Sequence, residues 1–228
     1  MDPQNRARMI WERVETWVAS SSRDAFFLAA AASALWLPGC GGSGSPIRED
    51  DPEAVVALIN AGAEVDRVPN MSAPNMLGRN VDVTGTDLND ELFQHLGQIE
   101  GLIELKLASP EVTDDTLAKL PELKTVTTVD LTGASITDEG LAHLESLPAL
   151  FSLNLSDTKV TAAGLAKLRP LAILTLTNLP IGDDDLESLQ HMKGLAVLTL
   201  AGTNVTPAGV NQMRQTRPRL LVVGIKMN

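Results

Sequence analysis

Val126-Thr-Thr-Val-Asp-Leu-Thr-Gly-Ala-Ser-Ile-Thr-Asp-Glu-Gly-Leu-Ala-His-Leu144 is answered 24 residues later by Leu150-Phe-Ser-Leu-Asn-Leu-Ser-Asp-Thr-Lys-Val-Thr-Ala-Ala-Gly-Leu-Ala-Lys-Leu168. The same spacing of apolar residues extends in both directions. Val81, Leu105, Val129, Leu153, Leu174, Leu198 and Val222 follow one another at steps of 24, 24, 24, 21, 24 and 24 residues. A period in this range marks stacked supersecondary units, none of which buries its apolar face alone.

Each copy reads as strand, turn and short helix. The L-x-x-L-x-L half alternates like a strand with one buried face. Another apolar residue follows, Val112, Ile136, Val160, Ile181 or Val205. Helix-start signals come next, with Asn89, Thr113, Thr137, Thr161 and Thr206 at the N-cap place and Gly182 as the weak member. Asp90, Asp114, Asp138 and Asp183 put acid in the first turn, where the helix dipole favours it, and Pro207 takes a first helical position. Leu117/Leu120, Leu141/Leu144, Leu165/Leu168 and Leu186/Leu189 then fill the inner face of a helix of about two turns. The shortened step falls at Leu168-Arg-Pro-Leu171, on the helical side. Gly140, Gly164 and Gly209 recur in phase and are expected to permit close packing with the next copy.

This pattern resembles the leucine-rich-repeat family, and Ile136-Thr-Asp-Glu-Gly-Leu-Ala-His-Leu144 is similar to the bacterial T-D-x-G-L-A-x-L subtype. The resemblance covers roughly residues 80 to 224. It implies an α/β solenoid, with parallel strands on a concave face, short helices on a convex face, and ligand binding on the concave side. The ladder asparagine of many family members is replaced by Thr86, Pro110, Ala134, Thr158, Leu179 and Thr203, so hydroxyl or backbone bonds must satisfy the turn.

Before the repeats, Arg6, Arg8, Arg13 and Arg23 precede the apolar run Ala25–Leu37 and then Pro38-Gly-Cys40. A run this short suits a secretory signal better than a membrane-spanning helix. Leu37-Pro-Gly-Cys40 is similar to a bacterial lipobox, which implies cleavage before Cys40 and lipid on its sulfur. Met9 is an alternative start. The expected localisation is the cell envelope, lipid-anchored, with soluble secretion as the alternative. Cys40 is the only cysteine, so no internal disulfide supports the fold.

The chain therefore divides into a signal peptide (1–39), a flexible Gly/Ser tether (40–50), an N-terminal cap helix and loop (51–79), and the repeat domain (80–228). Asp51-Pro-Glu53 opens the cap helix and Gly62 closes it. Ala61-Gly-Ala-Glu-Val-Asp66 resembles the tail of an ankyrin repeat, but it occurs once, and a helix capping the first repeat is preferred.

Chemistry is sparse. No P-loop, G-x-S-x-G elbow, H-E-x-x-H or spaced cysteine set occurs. His95 and His143 lie two copies apart with a lysine copy between them, too few and too distant for a metal, and His191 is off their register and expected to be exposed. The acid pairs at the helix starts are interrupted by Ala162-Ala163, and no cofactor is expected. The net charge of −11 repels phosphate backbones and anionic lipid headgroups.

The expected function is a non-enzymatic scaffold binding a protein or peptide. Its candidate contacts are Ile173, Thr175, Val197 and Thr199 on two neighbouring strands, with Lys106 and Asp130 on the charged N-terminal strands. Both Ile173 and Val197 are expected to point to solvent, although β-branched residues also simply suit strands. A structural envelope component without a ligand, and an intracellular adaptor resembling F-box-linked substrate receptors, stand as alternatives.

Overall fold

The computed structural model describes residues 52–69 and 77–225, which lie within one compact unit. The expected signal peptide, the tether and Cys40 lie outside the described residues. The fold is α/β, built on an open eight-stranded sheet whose strands follow chain order.

Seven of the eight strands run parallel: β2 (Leu77–Asp82), β3 (Leu102–Lys106), β4 (Thr128–Asp130), β5 (Ser152–Asn154), β6 (Ile173–Thr175), β7 (Val197–Thr199) and β8 (Leu221–Val223). Val81, Leu105, Val129, Leu153, Leu174, Leu198 and Val222 pair in one unbroken row. Alternation along each strand turns this row inward, and Leu105, Leu174 and Leu198 are fully buried. The 21-residue step leaves the register intact, with Leu153 still opposite Leu174, so the missing turn is absorbed on the return side.

The cap differs from expectation. Helix α1 (Pro52–Asn60) is present, but the stretch after it, where no strand is expected, holds β1 (Glu64–Pro69), which pairs antiparallel with β2. Strand β2 also begins at Leu77, inside the expected cap. The β-branched Val65 and Val68 favour extension, and the antiparallel strand covers the first edge of the parallel array.

After the strands the chain turns through left-handed residues at Gly85, Gly133, Asp157, Asn178 and Gly202. Asp157 and Asn178 tolerate that conformation, and the Asn178 amide donates to Asp157 Oδ1 at 2.8 Å. At the next position the hydroxyls of Thr86, Thr158 and Thr203 donate to the carbonyls of Val83, Leu155 and Leu200.

The returns are helical but shorter than two turns in several copies. They comprise α2 (Asp90–Gln98), α3 (Asp114–Ala118), a 3₁₀ segment (Gly140–Ser146), α4 (Ala162–Leu165), a second 3₁₀ segment (Asp184–Leu189) and α5 (Pro207–Thr216). Asn89, Thr113, Thr161 and Thr206 accept backbone N–H bonds as N-caps. Thr137 is not the cap of its segment, which begins after Glu139 without a side-chain cap.

Thr137 instead belongs to a clasp between copies. Its N–H and hydroxyl both donate to the Asp114 carboxylate, at 2.8 and 2.6 Å. Asp138 holds Thr161 in the same way, at 2.7 and 2.6 Å, and Asp183 holds Thr206 at the same two distances. These acids were expected to serve their own helix dipoles. Their carboxylates are spent on the following copy, 23 residues ahead. The bond from the Thr206 hydroxyl, then that from its N–H, holds the Asp183 carboxyl below its usual range.

The recurrent glycines complete the clasp and face the preceding copy, not the next. A side chain at Gly140, Gly164 or Gly209 would collide with the carboxylate of Asp114, Asp138 or Asp183. Where the glycine is replaced, the clasp is absent and the substitute does its work. Thr116 accepts from the Thr113 N–H at 3.2 Å, leaving Asp90 to pair with Lys119, and Asp185 accepts from the Gly182 N–H at 2.9 Å.

Candidate functional site

Residues flanking the inward row, one before and one after it on each strand, line the sheet face turned away from the core. Register places Ile173 beside Val197 and Thr175 beside Thr199. It likewise places Glu104 beside Thr128 and Lys106 beside Asp130. The six candidate contacts therefore share one face, in two groups separated by β5.

Their exposure departs from expectation. Ile173 is only 9% exposed, while Asp130 and Ser152 show 7% and 5%. Neighbouring strands stand ~4.8 Å apart, so a short side chain with a strand on either side is shielded even when it points away from the core. Ile173 forms part of the floor, whereas Val197, Thr175 and Thr199 remain half-buried. The apolar surface actually available lies one strand further on. Leu221 and Val223 pair with Val197 and Thr199, and Val223 is 39% exposed. Both flank Val222, whose place in the ladder was the signal that could have found them.

The charged end also gains residues that the cap reading concealed. Glu64 lies opposite Asp82, and Asp66 opposite Asn80, so β1 extends the same face with two exposed acids. Lys106 Nζ donates to Asp82 Oδ2 at 2.6 Å. Burial pushes the Asp82 carboxyl up, but the bond from Lys106 and those from Thr84 outweigh it and leave the group below its usual range. The bond to Asp82 raises the Lys106 ammonium in turn. Glu104 behaves oppositely. Burial and then the Asp130 charge push its carboxyl up, Lys106 opposes them weakly, and Asp82 adds to the rise. The Asn80 amide donates to Glu104 at 2.9 Å, while the buried Asn80 Oδ1 has no partner.

Between the two ends runs a polar floor. Asp130 Oδ1 accepts from the N–H and hydroxyl of Thr132, whose Oγ1 accepts from Asn154 Nδ2 at 2.8 Å. Asn154 Oδ1 accepts from the Ser156 N–H and hydroxyl at 3.0 and 2.6 Å. Asp130 thus arrives at the face already engaged. The linked bonds fix the floor's side chains and give it a set shape.

Elsewhere, polar side chains bond within their own segment or back to the preceding copy. The two nitrogens of His95 approach Gln98 and Glu91 on its own helix. His191 is exposed, yet its ring reaches the carbonyls of Ser188 and Leu168. Arg169 donates to the Leu147 carbonyl, and Arg217 to those of Leu189, Gln190 and Met192, each reaching back to the preceding copy. Among the described residues, no three of His, Cys, Asp and Glu converge in a set able to hold a metal ion, and no helix is long and apolar enough to cross a membrane. A shallow depression of about 390 Å³ lies on α1, lined by Glu53, Val56, Ala57 and Asn60.

Neither a family model nor a curated protein matches this chain.

Proposed function

We propose that this chain is a leucine-rich-repeat solenoid serving as a non-enzymatic binding module, exported and tethered by lipid on Cys40, that holds a protein or peptide on its strand face. The observation carrying this reading is the face itself. In-register strands carry one row of side chains from the carboxylates of β1–β4, across a hydrogen-bonded polar floor, to the half-exposed apolar side chains of β7 and β8. Such a surface offers area and varied contacts to a partner. Support for the tether is the Leu37-Pro-Gly-Cys40 sequence and the Gly/Ser stretch after it.

A photoreactive side chain at Thr199, with a control at exposed Glu187 on the return side, tests the binding reading in envelope extracts. Labelling of a partner from Thr199 alone is expected. Equal labelling from both positions, or none, would favour a structural component without a dedicated ligand. Mass spectrometry of the native N-terminus tests the tether, and a chain retaining residues 1–39 would overturn it.

A further inference from the structure

Resting on the reading of the sheet face as a binding surface, we propose that its ligand is an extended peptide carrying a basic side chain over β2–β4 and an apolar side chain on β7–β8. The charge of the face decides the first half. Glu64, Asp66, Asp82, Glu104 and Asp130 occupy its register positions on β1–β4, against the single ammonium of Lys106, which is bonded to Asp82. Acceptors outnumber donors there, since Asn80 Oδ1 is enclosed beside Glu104 without a donor. Burial and the neighbouring Asp130 make the Glu104 charge costly, and a cation placed over it would relieve that cost. No three ligands converge for a metal ion among the described residues, so an ammonium or guanidinium is the cation that fits.

The second half rests on Val197, Leu221 and Val223, the apolar side chains that the neighbouring strands do not bury. β3 and β7 are four strands apart, ~19 Å at ~4.8 Å per strand, which an extended chain covers in about six residues at ~3.3 Å each. The net charge of −11 argues against a second copy as the occupant, because its own acidic face would meet this one.

The probe is a displayed library of random twelve-residue linear peptides, selected on the chain from Cys40 onward with Cys40→Ser. Enriched peptides should carry Lys or Arg five to seven positions from Leu, Ile, Val or Phe, counts that follow from the ~19 Å span. Their binding should weaken roughly tenfold in Glu104→Gln/Asp130→Asn and by a similar factor in Val197→Ser/Leu221→Ser, and should fall with added salt. Glu64→Gln/Asp66→Asn, exposed positions, repeats the charge test should the first pair unfold. Peptides that lose affinity in the serine variant but show neither basic residues nor a response to the acid variants would overturn this inference and leave the binding face standing. Peptides indifferent to all these variants, or no enrichment at all, would overturn both. A dimer in sedimentation that dissociates in Val197→Ser/Leu221→Ser would show a second copy on the strip and overturn the peptide assignment.

Discussion

The Asp138 carboxylate and the α-carbon of Gly164 occupy adjoining space across two copies, so that a single added methyl at 164 would strike the oxygen bonded to Thr161. Neither residue makes sense alone. The acid needs a neighbour without a side chain, and the glycine is tolerated in α4 because it admits the acid.

Gly164→Ala tests this coupling with a definite sign. In an ordinary helix interior the change would stabilise by about 1 kcal/mol. Here it should destabilise by ~1–3 kcal/mol through overpacking, as read by urea unfolding. Asp138→Ala should lose the clasp, and the double variant should be more stable than the sum of the single losses implies. Strict additivity would refute the contact.

Acid should loosen the Asp183 clasp. A carboxyl held below its ordinary value, 3.8, gives stability that is fully present above that value and is lost as pH falls through the lower folded one. The melting temperature of the chain should exceed that of Asp183→Ala at neutral pH, with the gap closing only as pH falls below the ordinary 3.8. A gap independent of pH would assign the effect to packing.

Glu104 should show the reverse dependence. Its carboxyl is raised in the folded chain, so ionisation opposes folding at neutral pH. Glu104→Gln keeps an acceptor for Asn80 and should stabilise the chain at neutral pH. The gain should disappear as pH drops below the ordinary value of 4.5, where both folded and unfolded chains are protonated. Loss of stability at neutral pH would show that Lys106 outweighs burial.

Leu153 is 1% exposed in the middle of the sheet, and Leu153→Ala should cost ~2–5 kcal/mol. Its neighbour Asn154 links Thr132 to Ser156, so Asn154→Ala should cost ~1–3 kcal/mol, where a solvent-facing strand residue would cost almost nothing. Thermal melts of the two variants separate a linked floor from a loose one.

The α/β class, the parallel strands and their register were legible because Leu and Val recur at a fixed step from Val81 to Val222. Strand β1 was obscured because Pro69 and Gly78 flank its junction with β2, and turn-forming residues mask a strand supported by tertiary pairing. The clasp escaped because propensity weighs a residue within its own helix, whereas Asp138 acts 23 residues ahead. A trace of it was nonetheless written in the chain. The copy with Ala162 in place of the acid is followed by the copy with Asp185 in place of the glycine. At the candidate site, pointing away from the core does not amount to exposure, and Ile173 shows the difference: a neighbour on each side closes over it.

On the return side, the side-chain links between copies share a direction. Carboxylates at Asp114, Asp138 and Asp183 and carbonyls at Leu147, Leu168 and Leu189 all wait for donors that come later in the chain. On the ribosome, a copy therefore emerges before the residues that finish it, and a 24-residue step takes ~1–5 s to translate. The newest rung stays incomplete until its successor arrives, so a pause in synthesis leaves unsatisfied acceptors at the growing end while the older rungs behind it are already closed.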